Sequence, residues 1–119
     1  MAKKILLVDD DRMVTTILFL RLDKMGYDVK IADDGQIALN LAQQETPDLI
    51  ILDIQMPNMN GYTFITELQK IEECQHIPII VLTSRDDMAP IFQAKGVAGY
   101  FTKPFNTDQV MHKIEECLK

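Results

Sequence analysis

Apolar residues along this chain fall into short runs separated by longer stretches of mixed character. Four runs are continuous or nearly so: Ile5-Leu6-Leu7-Val8, Leu49-Ile50-Ile51-Leu52, Ile79-Ile80-Val81-Leu82 and the weaker Gly99-Tyr100-Phe101-Thr102. Runs of this length, rich in leucine and β-branched residues, suit strands covered on both faces, as in a parallel sheet. A fifth segment, Asp28-Val29-Lys30-Ile31-Ala32, alternates instead and predicts a strand nearer a sheet edge.

The intervening stretches carry a helical period. Val14, Ile17, Leu18 and Met25 are predicted to share one face, with Gly26 ending that helix. Ile37, Ala38, Leu41 and Ala42 form a second face, closed by Pro47, and Phe64, Ile65, Leu68 and Ile71 a third, after Gly61. A fourth helix begins at Ile91, Phe92 and Ala94, with Pro90 in its first turn and Gly96 at its exit. Val110, Met111, Ile114 and Leu118 mark the last, capped by Asn106 or Thr107.

Strand then helix, repeated five times, predicts an α/β domain with a parallel sheet and helices on both faces. Right-handed crossovers bring every strand C-terminus to one edge of such a sheet. Ligands bind at that edge, near the point where the winding direction reverses.

Length and composition narrow the class. The 119 residues make one domain with room for one core, and 47% hydrophobic with 25% charged residues is ordinary for a globular chain. A net charge of −6 would repel a phosphate backbone, so direct nucleic-acid binding is not expected. Cys74 and Cys117 stand apart, in no metal-ligand spacing and no disulfide framework, and read as reduced thiols. Ile5 to Val8 is too short for a signal-peptide core or a membrane span, so no membrane insertion is expected and the protein should be cytoplasmic.

The chemistry appears once the residues after each run are read together. Asp9-Asp10-Asp11 follow the first strand, Asp53 the third, Thr83-Ser84 the fourth and Lys103-Pro104 the fifth. Any one of these alone is ordinary: an aspartate caps a helix or makes a turn, and a lysine is a solvated charge. Together they put several acids, a hydroxyl and an amine at one crevice. Carboxylates crowded this way repel one another unless a counter-charge is present. A hard divalent cation resolves the conflict, since Mg²⁺ takes one or two carboxylates and leaves room for phosphate oxygens. Metal, ammonium and hydroxyl around one carboxylate is what an aspartyl-phosphate site requires, with Asp53 as the acceptor.

The same residues carry a family resemblance. Ile5-Leu6-Leu7-Val8-Asp9-Asp10-Asp11, Leu52-Asp53-Ile54-Gln55-Met56-Pro57, Met59-Asn60-Gly61, Val81-Leu82-Thr83 and Lys103-Pro104-Phe105 resemble the receiver domain of two-component response regulators. The likeness runs over essentially the whole chain and is nearest to free-standing chemotaxis-type receivers. It implies a flavodoxin-like, doubly wound sheet with strand order 2-1-3-4-5 and five helices, over residues 1–119 as a single receiver domain. The chain is then either a complete regulator starting at Met1 or the receiver part of a longer one whose output domain is missing.

The resemblance also implies roles. Asp53 is expected to be the phosphoacceptor. Asp9 and Asp10 match the acidic pair that holds Mg²⁺ (or Mn²⁺), with Asp53 and the Gln55 carbonyl as further ligands. Lys103 pairs with the phosphoryl group, and its bond to Pro104 is expected to be cis. Thr83 is the switch hydroxyl and Tyr100 the aromatic that turns inward behind it. The implied donor is a phosphohistidine on a sensor histidine kinase or histidine phosphotransfer protein. The implied output surface is the fourth helix, fifth strand and fifth helix, offered to a downstream protein. Ser84, Gln55 and Arg85 sit on the rim, where Ser84 could hydrogen-bond near the site and Arg85 contact phosphate or water. His76 and His112 are expected at the surface. The domain is expected to act on no substrate beyond its own aspartate.

Two other readings share the fold. An aspartyl-nucleophile phosphatase would need an acid two residues after Asp53, where Gln55 stands. A flavin-binding electron carrier would need a phosphate-cradling loop after the first strand, where three aspartates stand instead.

Overall fold

The computed structural model describes residues 2–56 and 58–119; Met1 and Pro57, the latter within the stretch that carries the resemblance, lie outside the described residues. Five strands, β1 (Lys4–Val8), β2 (Asp28–Ala32), β3 (Leu49–Leu52), β4 (Ile79–Thr83) and β5 (Gly99–Thr102), alternate with five helices. The helices are α1 (Arg12–Lys24), α2 (Gly35–Gln44), α3 (Gly61–Gln69), α4 (Ala89–Ala94) and α5 (Thr107–Cys117). A 3-10 turn, Glu72–Cys74, precedes β4 and has no counterpart in the predicted elements.

All strands pair in parallel in the order β2-β1-β3-β4-β5. The expected architecture is therefore the observed one, and the alternating strand β2 does lie at an edge. Strands β1, β3 and β4 are buried almost throughout, because each packs helices on both faces.

Side chains alternate between two cores. Leu6, Val8, Ile50, Leu52 and Val81 pack beneath α2, α3 and α4, against Ala38, Phe64, Leu68 and Phe92. Ile5, Leu7, Ile51, Ile80 and Leu82 face the other way, onto Leu18 and Leu22 of α1 and Val110 and Ile114 of α5. Each fully buried leucine or isoleucine contributes about 1.5–3 kcal/mol of hydrophobic stabilisation, so both layers are needed to hold so small a sheet.

The helix ends follow local chemistry. Asp11, Asp34, Asn60 and Asn106 cap α1, α2, α3 and α5, each accepting backbone N–H groups of the first turn. Asn106, rather than Thr107, is thus the last cap. Gly26 ends α1 at φ +87°, a conformation that a Cβ would oppose.

Helix faces were harder to predict. In α1 the buried residues are Thr15, Leu18 and Leu22, whereas Ile17 is 47% and Met25 44% exposed. The predicted face was rotated by part of a turn, because a threonine fills an inward position: its hydroxyl bonds to the Arg12 carbonyl at 3.2 Å and needs no solvent. Ile37 and Ile91 are likewise exposed, and Ile71 lies beyond the end of α3. Among the described residues no helix is long and apolar enough to cross a membrane.

Candidate functional site

The winding reverses between β1 and β3, and the polar residues singled out by the sequence gather at the carboxyl edge of the sheet around that point, after β1, β3, β4 and β5. The backbone puts them there. Asp9 N–H donates to the Ala32 carbonyl, Asp53 N–H to Val8 and Lys103 N–H to Thr83, at 3.0, 2.9 and 2.7 Å. These bonds continue the parallel ladder one residue past each strand, so Asp9, Asp53 and Lys103 are fixed by the sheet rather than by mobile loops.

Gly61 sets the far wall of the loop after β3. Its N–H donates to the Ile54 carbonyl at 3.0 Å, and a Cβ there would lie 2.6 Å from the Ile54 Cα. Only glycine permits that approach, which draws the start of α3 against the residue following Asp53.

Asp9 and Asp53 are buried, and Lys103 reaches both. Its Nζ lies 2.9 Å from Asp9 Oδ2 and 3.3 Å from Asp53 Oδ2. The other oxygens are also satisfied: Asp9 Oδ1 accepts from Asp11 N–H at 2.9 Å and Asp53 Oδ1 from Gln55 N–H at 3.1 Å. Burial pushes the Asp9 carboxyl above its ordinary value, against the opposing pull of the Asp11 N–H and the Lys103 ammonium. For Lys103 burial works against the charge, but Asp9 and Asp53 outweigh it and raise its pKa.

Asp10 is exposed and completes a cluster in which Asp9, Asp10 and Asp53 each offer one carboxylate oxygen, all within 4.8 Å of one another. Asp11 does not join them, since its carboxylate caps α1. Three carboxylates against one ammonium leave two negative charges on an all-oxygen donor set. That chemistry fits a hard divalent cation of the Mg²⁺ type.

Thr83 is fully buried, and its hydroxyl accepts from Arg85 N–H at 3.2 Å. Tyr100 is half-buried, donates its hydroxyl to the Arg85 carbonyl, and stacks obliquely on Phe92. The Arg85 guanidinium is held by both oxygens of Asp87 at 2.9 Å, and so is engaged by its own loop. Lys103–Pro104 is cis, as the resemblance implies. Ser84 Oγ donates to Gln55 Oε1 at 2.8 Å, so Ser84 does hydrogen-bond near the site, to a partner that the sequence did not indicate. His112 is exposed on α5, with its Nε2 3.4 Å from Glu116 Oε1.

Comparison with known proteins agrees with this geometry. The family model of the response regulator receiver domain matches residues 5–115. A probable transcriptional regulator of Guillardia theta, ycf27, is 40% identical over 119 residues, covering 98% of this chain and 46% of that protein. The chain spans about half the length of the curated relatives it matches. The chemotaxis response regulator CheY4 of Vibrio cholerae superimposes with a TM-score of 0.89 at 30% identity, covering 98% of this chain and 99% of that one. Response regulator TrrA of Thermotoga maritima, solved in complex with Mg(2+)-BeF, gives a TM-score of 0.85 at 30% identity, covering 97% and 98%. With the acids, the lysine and the buried threonine gathered where this sheet reverses its winding, the chain belongs to the response regulator receiver domain family.

Proposed function

We propose that the chain is a single receiver domain, over residues 1–119, that takes a phosphoryl group onto Asp53. The donor is a phosphohistidine of a sensor histidine kinase or histidine phosphotransfer protein. The observation that carries this reading is the Lys103 ammonium bridging Asp9 and Asp53 beside the exposed Asp10.

Asp53 attacks the phosphorus in line; the bond to its carboxylate oxygen forms as the phosphorus–nitrogen bond of the donor breaks. Lys103 sits where it can pair with a phosphoryl oxygen, and the Thr83 hydroxyl can redirect its proton toward another. Asp9, Asp10, Asp53 and the Gln55 carbonyl would hold Mg²⁺, or Mn²⁺ in its place, which when bound supplies positive charge against the phosphoryl oxygens. Attack of water on phosphorus later releases phosphate and restores the carboxylate. The domain thus catalyses only its own modification.

A phosphoryl group brings roughly −1.5 to −2 charges to a site that already holds an excess of carboxylates. That is enough to rebalance the loop bearing Thr83 and the ring of Tyr100. The surface of α4, β5 and α5 then presents a changed face to a downstream protein, in a cytoplasmic setting. Because the curated relatives are about twice as long and three are named as transcriptional regulators or regulatory proteins, a second reading makes this chain the receiver part of a longer regulator. The length of the full gene decides between the two.

Incubation with Mg²⁺ and a small acyl phosphate, followed by mass spectrometry, should show one labile phosphoryl group on Asp53. Asp53→Asn should abolish it and EDTA should suppress it. Undiminished labelling of Asp53→Asn would overturn the assignment.

A further inference from the structure

Strand β2 pairs with β1 on one side, and among the described residues no strand covers its other edge. The pleat decides which groups that edge offers. Asp28 N–H donates to the Lys3 carbonyl at 2.9 Å, and the Ala32 carbonyl accepts from Asp9 N–H at 3.0 Å. Asp28, Lys30 and Ala32 therefore bond inward, to β1, and the N–H and C=O groups of Val29 and Ile31 point outward. Side chains alternate as well. Asp28 and Lys30 are exposed on the α2 face, where Ala32 enters the core, whereas Val29 packs on the α1 face and Ile31 beside it is 43% exposed.

A bare edge is a template for another strand, and charged residues are its usual guard. On β2 the guard is complementary to itself. Set antiparallel about Val29, two copies of the strand bring their Val29 groups onto each other and each Ile31 N–H onto the Tyr27 carbonyl of the other copy. Asp28 then lies directly opposite Lys30 of the other copy, in the closer, non-hydrogen-bonded kind of pair. On the other face Ile31 meets Tyr27, a β-branched residue against an aromatic. Centring the pair on Lys30 would set two ammoniums against each other, and centring it on Ile31 would set Asp28 opposite Asp34. Lys30 can turn to a new partner without orphaning Glu45, because Lys4 also holds that carboxylate at 2.9 Å.

We propose that β2 is a self-pairing edge, through which two copies of this chain join antiparallel about Val29 into one continuous sheet. The contact is isologous and closed, so it stops at a dimer. Its two-fold axis turns the carboxyl edges of the two sheets in opposite directions. Both acidic sites therefore stay open, and the pairing needs no phosphoryl group on Asp53. One short strand from each copy buries less than a standard interface of roughly 1,200–2,000 Å², so the dimer is a weak one.

The test sediments the full chain over concentrations from roughly 10 μM to 1 mM. Salt at about 0.15 M screens the repulsion between two copies that each carry a net charge of −6. The sedimentation coefficient should rise with concentration toward the dimer value. Amide hydrogen exchange at Val29 and Ile31 should slow in step, while the inward-bonded Lys30 amide does not change. Asp28→Lys and Lys30→Asp should each weaken association roughly two- to thirtyfold, since the lost charge pair occurs twice in the dimer. An equal mixture of the two variants should associate as the parent does, because every lysine again faces an aspartate. Both positions are exposed, and circular dichroism checks that each variant keeps its fold. A sedimentation coefficient that stays at the monomer value overturns the pairing, as does a dimer whose Val29 and Ile31 amides exchange as fast as in the monomer. A mixture that associates no better than either folded variant alone overturns it too.

Discussion

Removing the Lys103 ammonium is the sharpest perturbation of the acidic site. The lysine stands 2.9 Å from Asp9 and 3.3 Å from Asp53, and its side chain is 17% exposed. At an effective dielectric of about 20, each contact is worth about 5–6 kcal/mol of Coulomb attraction. Desolvation of the three groups cancels much of this, so the pair as a whole adds little to stability. Its one-sided loss is different, because Lys103→Met leaves two buried carboxylates facing each other. Breaking a buried pair costs about 3–5 kcal/mol. Solvent reaches Lys103 and the neighbouring Asp10, so the low end, about 3 kcal/mol, is expected here.

Two dependences identify the cause. On the proposed reading Mg²⁺ and Lys103 share the same carboxylates, so the cation should bind the variant more tightly and recover part of the deficit. An ion present at about a hundred times its Kd adds about 2.7 kcal/mol, and the added stability should be larger in the variant than in the parent. The pH dependence has a definite sign. The Asp9 carboxyl is already raised in the folded state, so its protonation stabilises the fold at low pH and that gain is lost as pH rises through the folded value. Without Lys103 it rises further, and the deficit of the variant should be least near the ordinary carboxyl value of 3.8 and grow toward neutrality. The chain has no tryptophan, so urea unfolding is followed by far-ultraviolet circular dichroism, with and without Mg²⁺, at several pH values. A variant as stable as the parent without metal, with an equal gain on adding Mg²⁺, would refute this account.

Much of this site was legible because it is built on strand ends. A continuous apolar run stops where the sheet stops, and the next residue must lie at its carboxyl edge; Asp9, Asp53 and Lys103 follow that rule directly. Helix faces were less legible, since period alone does not say which of two neighbouring stripes turns inward. In α1 the inward set includes Thr15, whose polarity argued against it, and excludes Ile17. The partner of Ser84 was not legible, because its bond to Gln55 joins two polar loop residues 29 positions apart that only the finished fold brings together. The same holds for Asp34 and Asn58, whose side chains tie the start of α2 to the loop after β3. Strand-end chemistry is thus written locally, whereas contacts that tie loop to loop are properties of the tertiary structure.

Two further predictions test parts of the fold that the acidic cluster does not touch directly. Gly61→Ala should destabilise by about 1–3 kcal/mol in urea unfolding, because the added methyl meets Ile54 Cα at 2.6 Å and neither backbone can yield freely. An effect below about 0.5 kcal/mol would show that the loop after Asp53 relaxes more easily than its packing implies. Glu45 lies at the opposite edge of the sheet, 2.9 Å from both Lys4 and Lys30, which hold its carboxyl down to about 2. A depressed carboxyl stabilises the fold above its unfolded value, near 4.5, and the benefit is lost as pH falls toward 2. Glu45→Gln should therefore be less stable than the parent at neutral pH, with the two curves converging between about pH 4.5 and 2. The group is exposed, so salt should narrow the difference at neutral pH as well. Because Glu45 is remote from Asp53, phosphoryl labelling should be unchanged in this variant. Stability curves that stay parallel across the acid range would mean that the two lysines are spectators of Glu45 rather than its partners.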